Sequence, residues 1–269
     1  MTIGTNSDFK THLESRGLSP HTIRAFTSDV RGFETFLAGG QPTEQAAEAF
    51  LANEKRRGLS NKTCARKRTS LLAYARFLGK PWNLPSIRPE QKLPEALSEV
   101  EAKAVLEAAR HTQNGERDRL MVELMMRAGL RSAELLELSA SDISEEGPIM
   151  WISVVQGKGS KERRIPVVSK SLQTSLRRYI KGMSSSDPLF PMKSRNLRKL
   201  VARIGREAGL SKQLHPHMLR HTSATMYLRK GANLESVRKT LGHESLSTTQ
   251  KYLALTDEDV ARDLAKAAW

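Results

Sequence analysis

The chain has 269 residues, enough for one large or two ordinary domains, and its 44 Lys and Arg against 29 Asp and Glu give a formal net charge of +15. Both residues 1–95 and residues 96–269 are basic, which suits a clamp around a nucleic-acid duplex, although an ordinary basic protein is the simpler alternative. The single cysteine excludes an internal disulfide and a cysteine-based zinc site. No run of about 18 apolar residues is long enough for a membrane span, and the polar N-terminus is not that of a signal peptide. These features predict a cytoplasmic protein.

The first part of the chain, residues 7–78, has the pattern of a small helical domain. Apolar residues recur at steps of three and four after Pro20, which is typical of one face of an amphipathic helix. Glycines separate the helices, and the last helix follows Ser60 or Asn61 as its cap. We predict a four-helix domain over residues 1–79.

The last of these helices begins with a run of basic side chains. We predict that they contact the phosphate backbone of DNA, and the alternative is a solvated helix face. The four residues are Lys62, Arg66, Lys67 and Arg68.

Residues 80–95 contain four prolines, too many for a continuing helix or a central strand. We interpret this segment as an extended linker, because the pattern on each side is self-sufficient. The alternative is a structured loop that ties the two halves into one body.

The second domain is predicted over residues 96–269. It opens with a capping box, Ser98 followed by Glu101. Gly129 is a helix stop, so Arg131 is expected in a tight loop before the next helix, with its backbone fixed.

Residues 149–168 form the one clear β region of the sequence. Two runs rich in β-branched side chains flank a glycine-bearing turn, so a hairpin is expected with Lys158 at its tip, where a lysine can also be only a solubilising residue. Helices are predicted afterwards at 169–181, 194–208, 216–229, 233–240 and from about 256. The predicted fold class is therefore mainly α with a small antiparallel β-sheet.

The predicted helix over 216–229 carries His217, Arg220 and His221 close together on its surface. The two histidines formally fit a metal site, but the arginine between them opposes a bound cation. A phosphate suits them better, because a guanidinium donates two hydrogen bonds to two phosphate oxygens. With Arg131, two arginines can hold both non-bridging oxygens of one phosphodiester and stabilise the charge that builds there in a transition state, so no metal is required.

A nucleophile for such a site is sought among four tyrosines. Tyr74 lies in the first domain, Tyr179 ends a helix, and Tyr227 is expected to pack in the core. Tyr252 follows Leu-Gly-His within a polar segment that can present it. We favour Tyr252, whose phenol needs neighbouring cations or a base to attack at neutral pH.

Five motifs between residues 129 and 252 now stand in order: Gly-Leu-Arg-x-x-Glu-Leu, Gly-Lys-Gly-x-Lys-x-Arg, His-Pro-His-x-Leu-Arg-His, Leu-Gly-His and Thr-Thr-x-x-Tyr. Together they resemble the motifs of the tyrosine recombinases, most of all the Xer-type branch. The helical first domain is similar to the SAM-like core-binding domain of that family. One difference is that Leu-Ala-Leu follows the tyrosine, where many relatives carry a histidine.

The resemblance implies a role for each matching residue at a scissile phosphate. Arg131 and Arg220 would bind it, His243 would hold one of its oxygens, and Glu134 and His221 would support these side chains.

The resemblance likewise implies the proton transfers. Lys158 would be the general acid for the 5′-oxygen leaving group, His217 would assist proton transfer with the tyrosine, and Tyr252 would form a 3′-phosphotyrosine bond. Neither metal nor ATP nor another cofactor is expected.

The partners implied are double-stranded DNA and three further copies of the chain, with or without a paralogous recombinase. The helix after Tyr252 would be donated to a neighbour in a ring of four, although its apolar stripe can also dock on its own domain. Chromosome dimer resolution is favoured by the shortness of the chain. The alternatives are an integrase of a mobile element, a type IB topoisomerase and a catalytically silent DNA-binding relative.

Overall fold

The computed structural model describes residues 6–88, 95–154 and 163–242. The chain divides into two compact units, residues 1–92 and 93–269, and each is described by itself. In the described parts, no helix is long and apolar enough to cross a membrane.

The described residues of the first unit form four helices, as predicted: α1 Asn6–Ser15, α2 Pro20–Leu37, α3 Glu44–Arg56 and α4 Asn61–Phe77. The side chain of Ser60 accepts a hydrogen bond from the backbone of Thr63 and so caps α4. The apolar faces meet in one core, in which Phe9, Phe33 and Tyr74 are fully buried.

The proline-rich segment that follows α4 packs against the first unit, which an extended linker would not do. Residues 81–88 have no regular secondary structure, as the prolines predict, but Leu84 is buried in the core of the first unit. The guanidinium of Arg68 donates two hydrogen bonds to the Leu84 carbonyl, at 3.0 and 2.6 Å. The apolar Trp82 and Ile87 are partly buried against the same core, so the segment packs on the first unit through three apolar side chains.

The second unit is built from seven helices and one sheet within its described residues. The helices are α5 Glu99–Arg110, α6 Gly115–Arg127, α7 Ser132–Glu137, α8 Lys170–Ile180, α9 Ser194–Glu207, α10 Pro216–Arg229 and α11 Leu234–Leu241. The capping box at Ser98 and Glu101 is present as predicted. The predicted terminal helix from about residue 256 lies outside the described residues.

The sheet has three antiparallel strands in the order β1 Ile143–Glu146, β2 Ile149–Val154 and β3 Arg163–Val167. Strands β2 and β3 are predicted from the sequence, but β1 is not, because its residues Ile-Ser-Glu-Glu have little strand propensity. Pairing with β2 forms this edge strand, with Ile143 opposite Ile152. Val154 pairs with Arg163, and these are the last and first described residues on either side of the segment 155–162, which contains Lys158.

The fold is therefore mainly α with a small antiparallel sheet, as predicted. One face of the sheet and the inner faces of the helices form the main core of the second unit, where Met121, Leu124 and Met125 are fully buried. Helix α10 packs against α6, and this contact brings residues of the two predicted arginine motifs close together.

Candidate active site

The arginine of the His-x-x-Arg motif, Arg220, points into the second unit and is 4% exposed. Helix α10 begins just before it, with His215 as its cap: the ring Nδ1 accepts a hydrogen bond from Met218 N at 3.1 Å. The guanidinium of Arg220 donates hydrogen bonds to the carbonyls of Gly129 and Leu241. Arg220 thereby joins the loop that precedes Arg131 to the end of helix α11.

Arg131 lies in the loop between α6 and α7, as predicted. The loop turns at Gly129, whose φ is +67° and where a Cβ atom would lie 2.4 Å from Leu241 Cδ2, so a residue without a side chain is required. Arg131 Nη1 donates to Glu134 Oε1 at 2.6 Å, and Arg131 Nη2 donates to the Gly242 carbonyl at 2.8 Å. About a third of the Arg131 side chain is exposed, so it reaches the surface of the site.

A third arginine, Arg163, occupies the same cluster. Its Nη1 and Nη2 donate to the two carboxylate oxygens of Glu134 at 2.8 and 2.7 Å, and its Nε donates to the Thr240 carbonyl at 3.1 Å. No role for Arg163 is predicted from the sequence. The available signal was its place as the closing arginine of the Gly-Lys-Gly-x-Lys-x-Arg motif.

Glu134 is the anion around which these cations gather. It accepts hydrogen bonds from Arg131 and Arg163, and Arg220 Nη1 lies 3.9 Å from its Oε2. Burial raises the pKa of this carboxyl, but hydrogen bonds from Arg163 and Arg131 outweigh burial and lower the pKa to about 2. The carboxylate is therefore ionised at any working pH. The three guanidinium groups that gather at this carboxylate are of the kind that bind phosphate oxygens.

The three arginines also bind the end of helix α11. The carbonyls of Thr240, Leu241 and Gly242 each accept a hydrogen bond from a different arginine. The last carbonyls of a helix have no partner within it and carry partial negative charge, so cations are favoured there. This arrangement fixes the backbone immediately before His243.

Two histidines of α10 lie beside the cluster, with their ring centroids 6.4 Å apart. His217 is exposed, whereas burial, together with the neighbouring His217, His215 and Arg220, lowers the pKa of His221 to about 4. His221 is therefore neutral at pH 7, which fits the supporting role predicted for it. Among the described residues, no group of three or more His, Cys, Asp or Glu side chains is arranged to hold a metal ion.

Three of the six predicted catalytic side chains, Arg131, His217 and Arg220, are thus described and lie in one region. Lys158, His243 and Tyr252 lie outside the described residues. Among the described residues, Arg163 is the first after the segment that contains Lys158, and Gly242 is the last before His243.

The other three tyrosines are poorly suited to act as the nucleophile. The hydroxyls of Tyr74, Tyr179 and Tyr227 donate hydrogen bonds to Glu34, to the Leu189 carbonyl and to the Arg127 carbonyl, at 3.3, 3.1 and 2.8 Å. Burial is the largest cause of a raised pKa at each, which reaches about 12 at Tyr74. A raised pKa disfavours the phenolate, and this supports the choice of Tyr252.

The basic start of α4 does not present four free cations to DNA. Lys67 is 13% exposed, and its Nζ lies 2.7 Å from Glu54 and 3.8 Å from Asp29, both buried. Arg66 is ion-paired with Asp29, and Arg68 is bound to the Leu84 carbonyl. These side chains hold the first unit together, a use that helical spacing alone could not reveal.

Lys62, by contrast, is exposed on the first turn of α4. For all four side chains, contact with DNA stays a prediction, and Lys62 and Arg66, whose side chain is 44% exposed, are the more exposed of them.

Two family models match the chain. Residues 95–259 match the phage integrase family, and residues 7–80 match the phage integrase N-terminal SAM-like domain. The tyrosine recombinase XerA of Thermococcus kodakarensis is 34% identical over 273 residues, which cover 97% of this chain and 94% of the relative. The tyrosine recombinase XerC of Alcanivorax borkumensis is 35% identical over 291 residues, which cover 97% and 92%.

A solved structure shows the same fold. The site-specific recombinase XerH, in a pre-cleavage complex with its difH substrate, aligns with a TM-score of 0.73 at 23% identity, covering 96% of this chain and 84% of that one. The family matches extend over both units and include the segments that carry the arginine cluster. The chain therefore belongs to the phage integrase family and is a tyrosine recombinase.

Proposed function

We propose that this chain cleaves and rejoins double-stranded DNA at a specific site, with Tyr252 as the nucleophile and a 3′-phosphotyrosine intermediate. The observation that carries the proposal is the meeting of Arg131 and Arg220 at one carboxylate, Glu134, although 89 positions separate them in sequence. Such a cluster binds a phosphate through guanidinium groups that are already held in place.

In the proposed cleavage step, the phenolic oxygen of Tyr252 attacks the scissile phosphorus and the bond from phosphorus to the 5′-oxygen breaks. His217 accepts the phenolic proton, and Lys158 donates a proton to the leaving 5′-oxygen. Arg131, Arg220 and His243 stabilise the charge on the non-bridging oxygens as the phosphorus becomes pentacoordinate.

Rejoining reverses this chemistry with a 5′-hydroxyl as the attacking group. The hydroxyl of another duplex gives recombination, and the original hydroxyl restores the strand. The covalent bond conserves the phosphodiester energy, so the cycle needs neither ATP nor a metal ion.

The proposed partner is duplex DNA, held by a ring of four copies of the chain. The net charge of +15 supports the binding of duplex DNA. The XerH structure, solved with its own DNA substrate, has the same fold. The ring would close by head-to-tail donation of the helix after Tyr252, and it includes either this chain alone or this chain with a paralogue. Sedimentation of the protein with a synthetic site distinguishes a tetramer from smaller complexes.

Within this activity, we favour the resolution of chromosome dimers over the integration of a mobile element. The relatives named XerA and XerC match the chain over almost its whole length. Sequencing the DNA that crosslinks to the protein identifies the target: one chromosomal site supports the Xer role, and the ends of a mobile element support integration.

The activity is tested with a duplex that carries this target and a nick beside the cleavage point. Cleavage of such a substrate releases a short fragment, so the covalent adduct accumulates and is resolved on a denaturing gel. The proposal predicts an adduct with the intact protein. No adduct, with binding retained, would identify a silent relative, and relaxation of supercoiled DNA that lacks the target would indicate a type IB topoisomerase.

A further inference from the structure

We propose that Arg163 is a positioning residue of the cleavage reaction, which holds Glu134 and the end of helix α11 in the places from which Arg131 and His243 act. This inference rests on the proposed function. It assigns a task to a side chain that is not expected to touch the phosphate itself.

The contacts of Arg163 join three separate segments. The residue begins strand β3, its two terminal nitrogens bind both oxygens of Glu134 on helix α7, and its Nε binds the Thr240 carbonyl on helix α11. The side chain is 10% exposed, so water competes little for these bonds. Loss of Arg163 would release two segments from the strand at once.

Gly242 shows how closely Arg163 is fitted. A Cβ atom at this position would lie 2.9 Å from both Cδ and Nη1 of Arg163, and the glycine also has a φ of +63° that ends helix α11. Gly242 accepts the hydrogen bond from Arg131 Nη2 on its carbonyl. The glycine of Leu-Gly-His thus admits Arg163 on one side and holds Arg131 on the other.

Strand β3 connects this cluster to the predicted general acid. Arg163 pairs with Val154 where the two strands are joined by the segment 155–162, and Lys158 lies in that segment, five positions before Arg163 in the sequence. Because its guanidinium is anchored to α7 and α11, Arg163 sets the place of the hairpin relative to the arginines that would hold the phosphate. A lysine cannot reproduce this, since three directed hydrogen bonds require the planar guanidinium.

The charged groups around Glu134 make the effect of losing Arg163 dependent on pH. Arg131, Arg163 and Arg220 face its carboxylate, and Glu137 and Asp142 line the same small cavity. Without Arg163, burial remains but the strongest opposing hydrogen bonds are lost, so the pKa of Glu134 rises from about 2. The protonated fraction then increases toward acidic pH and weakens the hold on Arg131.

The test compares Arg163→Gln and Arg163→Lys with Arg164→Gln. Arg164 is the next residue on the strand, pairs with Glu146 and stacks on Trp151 at 4.7 Å, so its loss removes the same charge without touching the cluster. Single-turnover adduct formation on the nicked duplex is measured at saturating protein from about pH 5.5 to about pH 8, together with DNA affinity and thermal unfolding.

We expect Arg163→Gln to slow adduct formation about 100-fold at neutral pH, as for a misplaced reacting group, and by more at the acidic end. DNA affinity should change little, Arg163→Lys should recover only part of the rate, and Arg164→Gln should match the wild type. In the double variant, Arg163→Gln should reduce the rate little below that of Glu134→Gln alone, because both changes break the same hydrogen-bonded pair.

The inference is overturned if Arg163→Gln cleaves as fast as Arg164→Gln, or if its deficit is the same at every pH and fully additive with that of Glu134→Gln. If Arg163→Gln is unfolded at the assay temperature, the folded Arg163→Lys decides by the same criteria. Failure of the wild type to form an adduct would refute the proposed function instead, so the two failures are distinguishable.

Discussion

At the scale of single residues, the role of the buried Arg220 can be tested directly by mutation. Its guanidinium is held by the carbonyls of Gly129 and Leu241, so it is placed before any substrate arrives. Arg220→Ala should lower the rate of adduct formation about 100- to 1,000-fold, the scale of losing an oxyanion donor, with DNA affinity largely kept. Arg229→Ala, at the exposed end of the same helix, is the matched control. Equal rates for the two variants would remove Arg220 from the site.

The depressed pKa of Glu134 predicts a pH-dependent contribution to stability. The folded value of about 2 lies below the ordinary 4.5, so the ionised carboxylate stabilises the fold fully above about pH 4.5, and this contribution is lost as the pH falls toward 2. Between about pH 5 and about pH 3, the wild type should therefore lose about 2 kcal/mol more unfolding free energy than Glu134→Gln. Urea unfolding of both proteins measures the difference, and parallel pH profiles would contradict it.

The place of a single residue could be predicted from the sequence where its near neighbours determine it. The loop position of Arg131 followed from Gly129, and the cap at Ser98 followed from Glu101 three residues later. The role of Arg163 could not be predicted, because the value of that side chain lies in partners 29 and 77 positions away. Contacts of that separation are a property of the fold and leave no mark in local spacing.

At the scale of elements, helix α4 separates a structural lysine from an exposed one. Lys67→Ala should cost about 2 kcal/mol of unfolding free energy, because it removes the least exposed cation of two buried carboxylates, Glu54 and Asp29. These carboxylates keep only Arg57 and Arg66, whose side chains are more exposed. Lys62→Ala should leave stability unchanged, weaken DNA binding and lower the salt dependence of affinity by about one unit of slope. Urea unfolding and DNA titrations at several salt concentrations check both. Similar stability losses for the two variants would show that Lys67 is not a structural cation.

Elements were predicted well where apolar periodicity was strong, and less well where tertiary contacts decided. All four helices of the first unit were expected, whereas strand β1 was not, because pairing with β2 makes Ile-Ser-Glu-Glu a strand. The segment around Leu84 is predicted as an extended linker, since proline content describes the backbone and not the burial of the apolar residues between prolines.

At the scale of the whole molecule, the proposed reaction uses two arginines in place of the divalent cation that many phosphoryl-transfer sites require. Adduct formation on the nicked duplex should therefore proceed at an unchanged rate in EDTA, with added Mg²⁺ as the comparison. Complete inhibition by EDTA, reversed by a metal ion, would show that the arginine cluster is insufficient.

The central claim is that one phosphorus atom is attacked by Tyr252 within the arginine cluster. It is tested most directly by digesting the covalent protein–DNA adduct and identifying the modified peptide by mass spectrometry, with Tyr252→Phe as the control. The account predicts a 3′-phosphotyrosine bond at Tyr252 in the wild type and no adduct in the variant. An adduct at another residue, or one that persists in Tyr252→Phe, would contradict it.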